Sequence, residues 1–125
     1  MKQTLLVSDD QDHLDQKARI LESMGWKTCV ATTTEFVSEV VATHRPSLIV
    51  ADIEMEGGSG FESIAVARNA CPASFIVAVT RGDNKDLWEK VATVCGANEY
   101  VVGPVSLPGL SAAIENGIAA GLVEG

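Results

Sequence analysis

Short apolar runs alternate along this chain with stretches in which apolar residues recur every three to four positions. Thr4-Leu5-Leu6-Val7, Lys27-Thr28-Cys29-Val30, Leu48-Ile49-Val50-Ala51, Phe75-Ile76-Val77-Ala78-Val79 and Tyr100-Val101-Val102 have strand length. The first, third and fourth are nearly continuous apolar runs, the pattern of central strands covered on both faces, whereas Lys27-Thr28-Cys29-Val30 alternates and reads as an edge. Between them, Leu14, Ala18, Leu21 and Met24 mark one helical stripe and Phe36, Val37, Val40 and Val41 the next, with Gly25 and Pro46 ending them. A third helix is predicted from about Gly60 to Ala70. A fourth places Leu87, Val91 and Val94 on an inward face before Gly96 stops it. The last starts near Ser106, with Pro108 in its first turn and Leu110, Ile114 and Ile118 facing inward. Gly117 and Gly121 weaken it, so its end is expected to fray. Five βα units in this order predict an α/β domain built on a parallel sheet.

Composition narrows the picture. The 125 residues, 46% of them hydrophobic, suffice for one core, and a single domain over residues 1–125 is expected. No apolar run approaches the roughly 18 to 20 residues of a membrane span, and Met1-Lys2-Gln3 leads straight into a strand-like run. A cytoplasmic protein with no membrane partner is the expectation. Cys29, Cys71 and Cys95 are odd in number and form no C-x-x-C pair, which favours buried free thiols over disulfides or a thiolate metal site. A net charge of −8 disfavours nucleic acid as a partner of this domain.

Candidate chemistry gathers where two central strands end. Val7-Ser8 runs into Asp9-Asp10, and Val50-Ala51 into Asp52. In an open α/β sheet the Asp9-Asp10 pair and Asp52 both lie at the C-terminal edge, where ligands bind. Two such charges about 4 Å apart repel by roughly 4 kcal/mol at an effective dielectric of 20, which a cation would relieve. Oxygen-only ligands favour Mg²⁺. The plain alternative is that Asp9 and Asp10 merely cap the first helix. Thr80, after the fourth strand, sets a hydroxyl over the same edge.

These pieces, in order, resemble the receiver domain of bacterial two-component response regulators along essentially the whole chain. The matching segments are Val7-Ser8-Asp9-Asp10, Asp52-Ile53-Glu54-Met55 with Gly60 eight residues on, Thr80, and Cys95-Gly96-Ala97-Asn98-Glu99-Tyr100-Val101-Val102-Gly103-Pro104. The resemblance implies a flavodoxin-like, CheY-like, doubly wound (βα)5 fold with a five-stranded parallel sheet in the order 2-1-3-4-5. It implies an aspartyl phosphate on Asp52, formed from a phosphohistidine on a sensor histidine kinase or phosphotransfer protein. Asp10, Asp52 and the Glu54 backbone carbonyl would hold Mg²⁺, or Mn²⁺ in its place, with Asp9 acting through water. Thr80 would donate to a phosphoryl oxygen and Tyr100 would turn inward with it, although an ordinary strand-end aromatic is the plain reading of Tyr100. The fourth helix, fifth strand and fifth helix would then present a changed surface to an output protein, a fused output domain or a second copy of the chain. Such a domain is a signalling switch rather than a turnover enzyme.

Several positions depart from the family. Gly103 stands where a lysine that pairs with the phosphoryl group is usual. Arg81, after Thr80, is a candidate substitute cation; a solvated loop arginine is the plain alternative. Glu56 replaces the usual proline after Asp52, and Ser59 the usual acidic or amide residue before Gly60. With Gly57 and Gly58 this loop is expected to be mobile. Its extra negative charge is expected to slow donation from small anionic phosphodonors. A cis Gly103-Pro104 bond is expected from the resemblance alone. His13 and His44 lack ligand partners at useful spacing and read as surface residues. Trp88 lies off the inward stripe of the fourth helix, and Trp26 is expected to pack at the entrance of the second strand.

Two rivals remain. A pseudo-receiver would act without phosphate as a docking or dimerisation module. A metal-dependent phosphatase would need a second acid two residues after its nucleophile, and Asp52-Ile53-Glu54 supplies only a glutamate. A flavin site is disfavoured, because Ser8-Asp9-Asp10-Gln11 would repel a phosphate.

Overall fold

The computed structural model describes residues 3–55, 58–80, 85–103 and 107–123. Five parallel strands form the sheet: β1 (Gln3–Val7), β2 (Lys27–Ala31), β3 (Leu48–Asp52), β6 (Phe75–Thr80) and β7 (Glu99–Val102). Their order is β2-β1-β3-β6-β7, which is 2-1-3-4-5 when only the sheet strands are numbered. A separate antiparallel ribbon, β4 (Glu54–Met55) with β5 (Gly58–Ser59), lies between β3 and the third helix. The helices are α1 (Gln11–Ser23), α2 (Thr34–His44), α3 (Gly60–Ala70), α4 (Lys85–Cys95) and α5 (Leu107–Ala119).

Side chains of successive strand residues point to opposite faces, which divides the core in two. Leu48 and Val50 of β3 pack with Leu14 and Leu21 of α1 and Leu110 and Ile114 of α5. Ile49 and Ala51 pack on the other face with Val37 and Val41 of α2, Ile64 of α3 and Ala92 of α4. All five residues of β3 and all six of β6 are buried, as the continuous apolar runs predict.

Three helical faces differ from the sequence reading. On α4, Leu87 and Val94 are 55% and 87% exposed, while Ala92 is buried and Trp88 and Cys95 pack on the core. The inward face is therefore rotated from the stripe Leu87-Val91-Val94. The Trp88 ring meets Phe61 of α3 at 5.3 Å, which takes over part of the apolar contact. Phe36 on α2 is half exposed, and Ile118 on α5 is also turned outward.

The end of α5 does not fray within the described residues. Gly121 adopts φ +76°, its N–H donates to the Ile118 carbonyl and that of Leu122 to Gly117, and Val123 folds back buried. Gly117 faces the Phe75 ring so closely that an added Cβ would lie 2.9 Å from it, so its place in the helix is set by packing. Trp26 is buried, as expected. The three cysteines are free but half-buried rather than buried; Cys29 donates to the Thr4 carbonyl, and burial raises its thiol pKa.

Candidate functional site around Asp52

Strand register brings the sequence-predicted residues to one edge. Val7 pairs with Ala51, Asp52 with Val79 and Thr80 with Val102, so Ser8-Asp9-Asp10, Asp52, Thr80 and Gly103 all fall at the C-terminal end of the sheet. Gly60 locks the turn after β3. Its N–H donates to the Ile53 carbonyl, and an added Cβ would come within 2.0 Å of the Asp52 backbone oxygen. Only glycine fits there without displacing the backbone of the turn.

The acids have unequal surroundings. Asp9 is exposed, and Asp10 caps α1 by accepting from the N–H groups of Asp12 and His13 at 3.0 and 3.2 Å. The capping role weighed as the plain alternative is thus present for Asp10. Asp52 is 6% exposed.

Both Asp52 oxygens are faced by nitrogens from α1. Lys17 Nζ lies 2.8 Å from Oδ1 and His13 Nδ1 lies 3.3 Å from Oδ2. The Lys17 contact is one of charge, since it lacks the angles of a hydrogen bond. Lys17 is 3% exposed, between Leu14 and Leu21 on the inward face of α1. His13 also lies 4.0 Å from Asp10 through Nε2, so it bridges two site carboxylates and is not a mere surface residue.

Sequence reasoning missed Lys17, yet a signal was there. It falls three residues after Leu14 and four before Leu21, a charge inside an apolar stripe, and such a charge requires a partner. Helical side chains lean toward the helix N-terminus, which in a βα unit is the ligand-binding edge of the sheet. Asp52 is the partner at that edge.

Thr80 is buried, and its hydroxyl donates to the Glu54 carboxylate, 3.0 Å from each oxygen. Glu54 thus acts here through its side chain, in addition to the backbone carbonyl expected of it. Tyr100 turns its hydroxyl into the interior. Burial raises the Tyr100 pKa, with Glu54 and Glu89 adding to the rise; the hydroxyl makes no hydrogen bond of good geometry, although Thr80 is near enough to oppose the shift.

The expected metal donors are all oxygens, the chemistry of a hard divalent cation. Among the described residues, however, no three acidic, histidine or cysteine side chains converge as a metal cluster. A cation at Asp52 would share its oxygens with Lys17 and His13. Arg81, Glu56 and the Gly103-Pro104 bond lie outside the described residues, as does the Ser59 side chain. The loop expected to be mobile is paired on both flanks, Glu54 with Ser59 and Met55 with Gly58.

At the opposite pole, Asn98 and Gly96 organise the Cys95-to-Tyr100 segment. Arg68 donates to the carbonyls of Gly96, Pro72 and Ser74 and to Asn98 Oδ1, which also accepts from the Ile76 N–H.

The family model of the response regulator receiver domain matches residues 4–115. The chain belongs to this family. It is 32% identical over 100 residues to the photosynthetic apparatus regulatory protein RegA of Rhodobacter capsulatus, covering 80% of this chain and 54% of that protein. It is 31% identical over 111 residues to the transcriptional regulatory protein YvrH of Bacillus subtilis, covering 88% and 46%. This receiver thus spans about half the length of these relatives. In fold it matches a CheY-like receiver domain protein from Methanospirillum hungatei at a TM-score of 0.85 and 24% identity, over 96% of this chain and 95% of that one. The flavodoxin-like architecture and the two-component class read from the sequence are both borne out. Among the described residues no helix is long and apolar enough to cross a membrane.

Proposed function

We propose that this receiver accepts a phosphoryl group on Asp52 and switches an interaction surface in response. The observation that carries this reading is the position of Asp52, which ends the buried β3 beside the β1 acids and Thr80. In the transfer, an Asp52 oxygen attacks phosphorus. The new phosphorus–oxygen bond forms as the phosphorus–nitrogen bond of a donor phosphohistidine breaks, leaving its electron pair on the imidazole.

Asp10, Asp52 and the Glu54 carbonyl would hold Mg²⁺ or Mn²⁺, with Asp9 acting through water; the ion would supply charge neutralisation during transfer. Thr80 would exchange Glu54 for a phosphoryl oxygen, and Tyr100 lies beside it to register the change. The exposed Leu87 and Val94 on α4 and the partly exposed Val102 on β7 give the output side apolar contacts, for an output protein, a fused output domain or a second copy. A cytoplasmic sensor histidine kinase or phosphotransfer protein is the proposed donor.

A phosphate-independent pseudo-receiver is the second reading, favoured by one observation: both Asp52 oxygens already face basic groups on α1. Adding beryllofluoride, a phosphoryl mimic, with Mg²⁺ separates the two. Shifts in the Tyr100 and α4 amide resonances are expected of the switch, and an unchanged spectrum would leave the docking module.

A further inference from the structure

Phosphorylating Asp52 would add negative charge to an edge already carrying Asp9, Asp10 and Glu54, and among the described residues β7 is followed there by Gly103, without a side chain. Lys17 is the buried cation in contact with Asp52 Oδ1, at 2.8 Å. A lysine 3% exposed has given up nearly all its water, so its ammonium is held ready for a nearby anion and needs little further desolvation when one arrives. Its flexible four-carbon stem, rooted on the inward face of α1 and leaning toward the sheet's ligand edge, lets the ammonium follow the charge outward from carboxylate to phosphoryl oxygen.

We propose that Lys17 is the phosphoryl-binding cation of this receiver, delivered from α1 in place of a basic side chain at Gly103. The inference rests on the phospho-accepting reading above and gives it a specific residue. The test reads the phosphoryl group itself, which a salt bridge that only held α1 to β3 would not touch.

Beryllofluoride binding in the presence of Mg²⁺, followed by ¹⁹F resonance, is compared between the parent chain and Lys17→Leu, with urea unfolding confirming that both are folded. Loss of a charge-assisted hydrogen bond to the bound group predicts weakening by about 10- to 100-fold. Adding Gly103→Lys to Lys17→Leu is expected to return much of the affinity. In the parent alone, which avoids any folding defect of the variant, the Lys17 ¹⁵Nζ resonance is expected to move when beryllofluoride is added. Binding by folded Lys17→Leu equal to the parent's, or a stationary Lys17 resonance in a parent that binds, overturns the assignment and leaves the receiver switch intact. No binding by the parent overturns both.

Discussion

Thr80 donates its hydroxyl to the Glu54 carboxylate and lies 3.0 Å from each of its oxygens. An oxygen of the proposed phosphoryl group and the carboxylate of Glu54, two residues from Asp52, would thus compete for the one Thr80 hydroxyl proton. Glu54→Ala leaves the backbone carbonyl in place and frees Thr80. Phosphoryl transfer to Asp52 is expected to accelerate by up to about tenfold, the scale of one hydrogen bond to a charged group. Stopped-flow Trp fluorescence or quenched-flow labelling measures it, and an unchanged or slower rate would remove Glu54 as a competitor.

Gly60 meets backbone rather than movable side chain, the Asp52 oxygen and the Ile53 Cα. Gly60→Ala must therefore displace the β3–α3 turn. A loss of about 1–3 kcal/mol is expected, the range of overpacked sites, and urea unfolding measures it. Because the same turn carries Asp52, phosphoryl acceptance should fall as well, in the folded fraction.

Arg68 joins the ends of α3 and α4 to the start of β6 through the carbonyls of Gly96, Pro72 and Ser74 and through Asn98. Arg68→Ala leaves these acceptors without their donor and is expected to cost about 2–4 kcal/mol in urea unfolding. The site lies at the other pole of the sheet, so beryllofluoride affinity in the folded variant should match the parent. A loss of affinity without a loss of stability would contradict that separation.

Tyr100 is the only tyrosine in the chain, so its ionisation can be read from tyrosinate absorbance. Burial, reinforced by Glu54 and Glu89, holds its pKa above the ordinary 10.0. The folded state therefore keeps its proton longer than the unfolded state. The associated stability is fully present below pH 10.0 and is lost as pH rises through the folded value. Glu54→Ala should bring the midpoint partway back; a parent midpoint at or below the ordinary value would contradict the burial of the hydroxyl, and an unmoved midpoint in Glu54→Ala would remove Glu54 as a contributor.

Most of the fold was legible because strands buried on both faces leave continuous apolar runs, and the β1, β3 and β6 segments carry them without interruption. The faces of α4 were not legible. Leu87 and Val94 have helical spacing, but spacing alone cannot distinguish a stripe that faces the core from one left for a partner. The acids of the site were found from their place after strands. Lys17 was missed because the site was read from residues that follow strands, while this lysine reaches Asp52 from α1, more than thirty residues earlier in sequence. His13 was missed for the same reason: its partner is close only in space.

The most direct test of the phospho-accepting reading is intact-mass measurement after incubation with a phosphorylated histidine phosphotransfer protein and Mg²⁺, on the parent and on Asp52→Asn. The parent is expected to gain one phosphoryl group and Asp52→Asn none. No gain by the parent, or the same gain in Asp52→Asn, would contradict that reading.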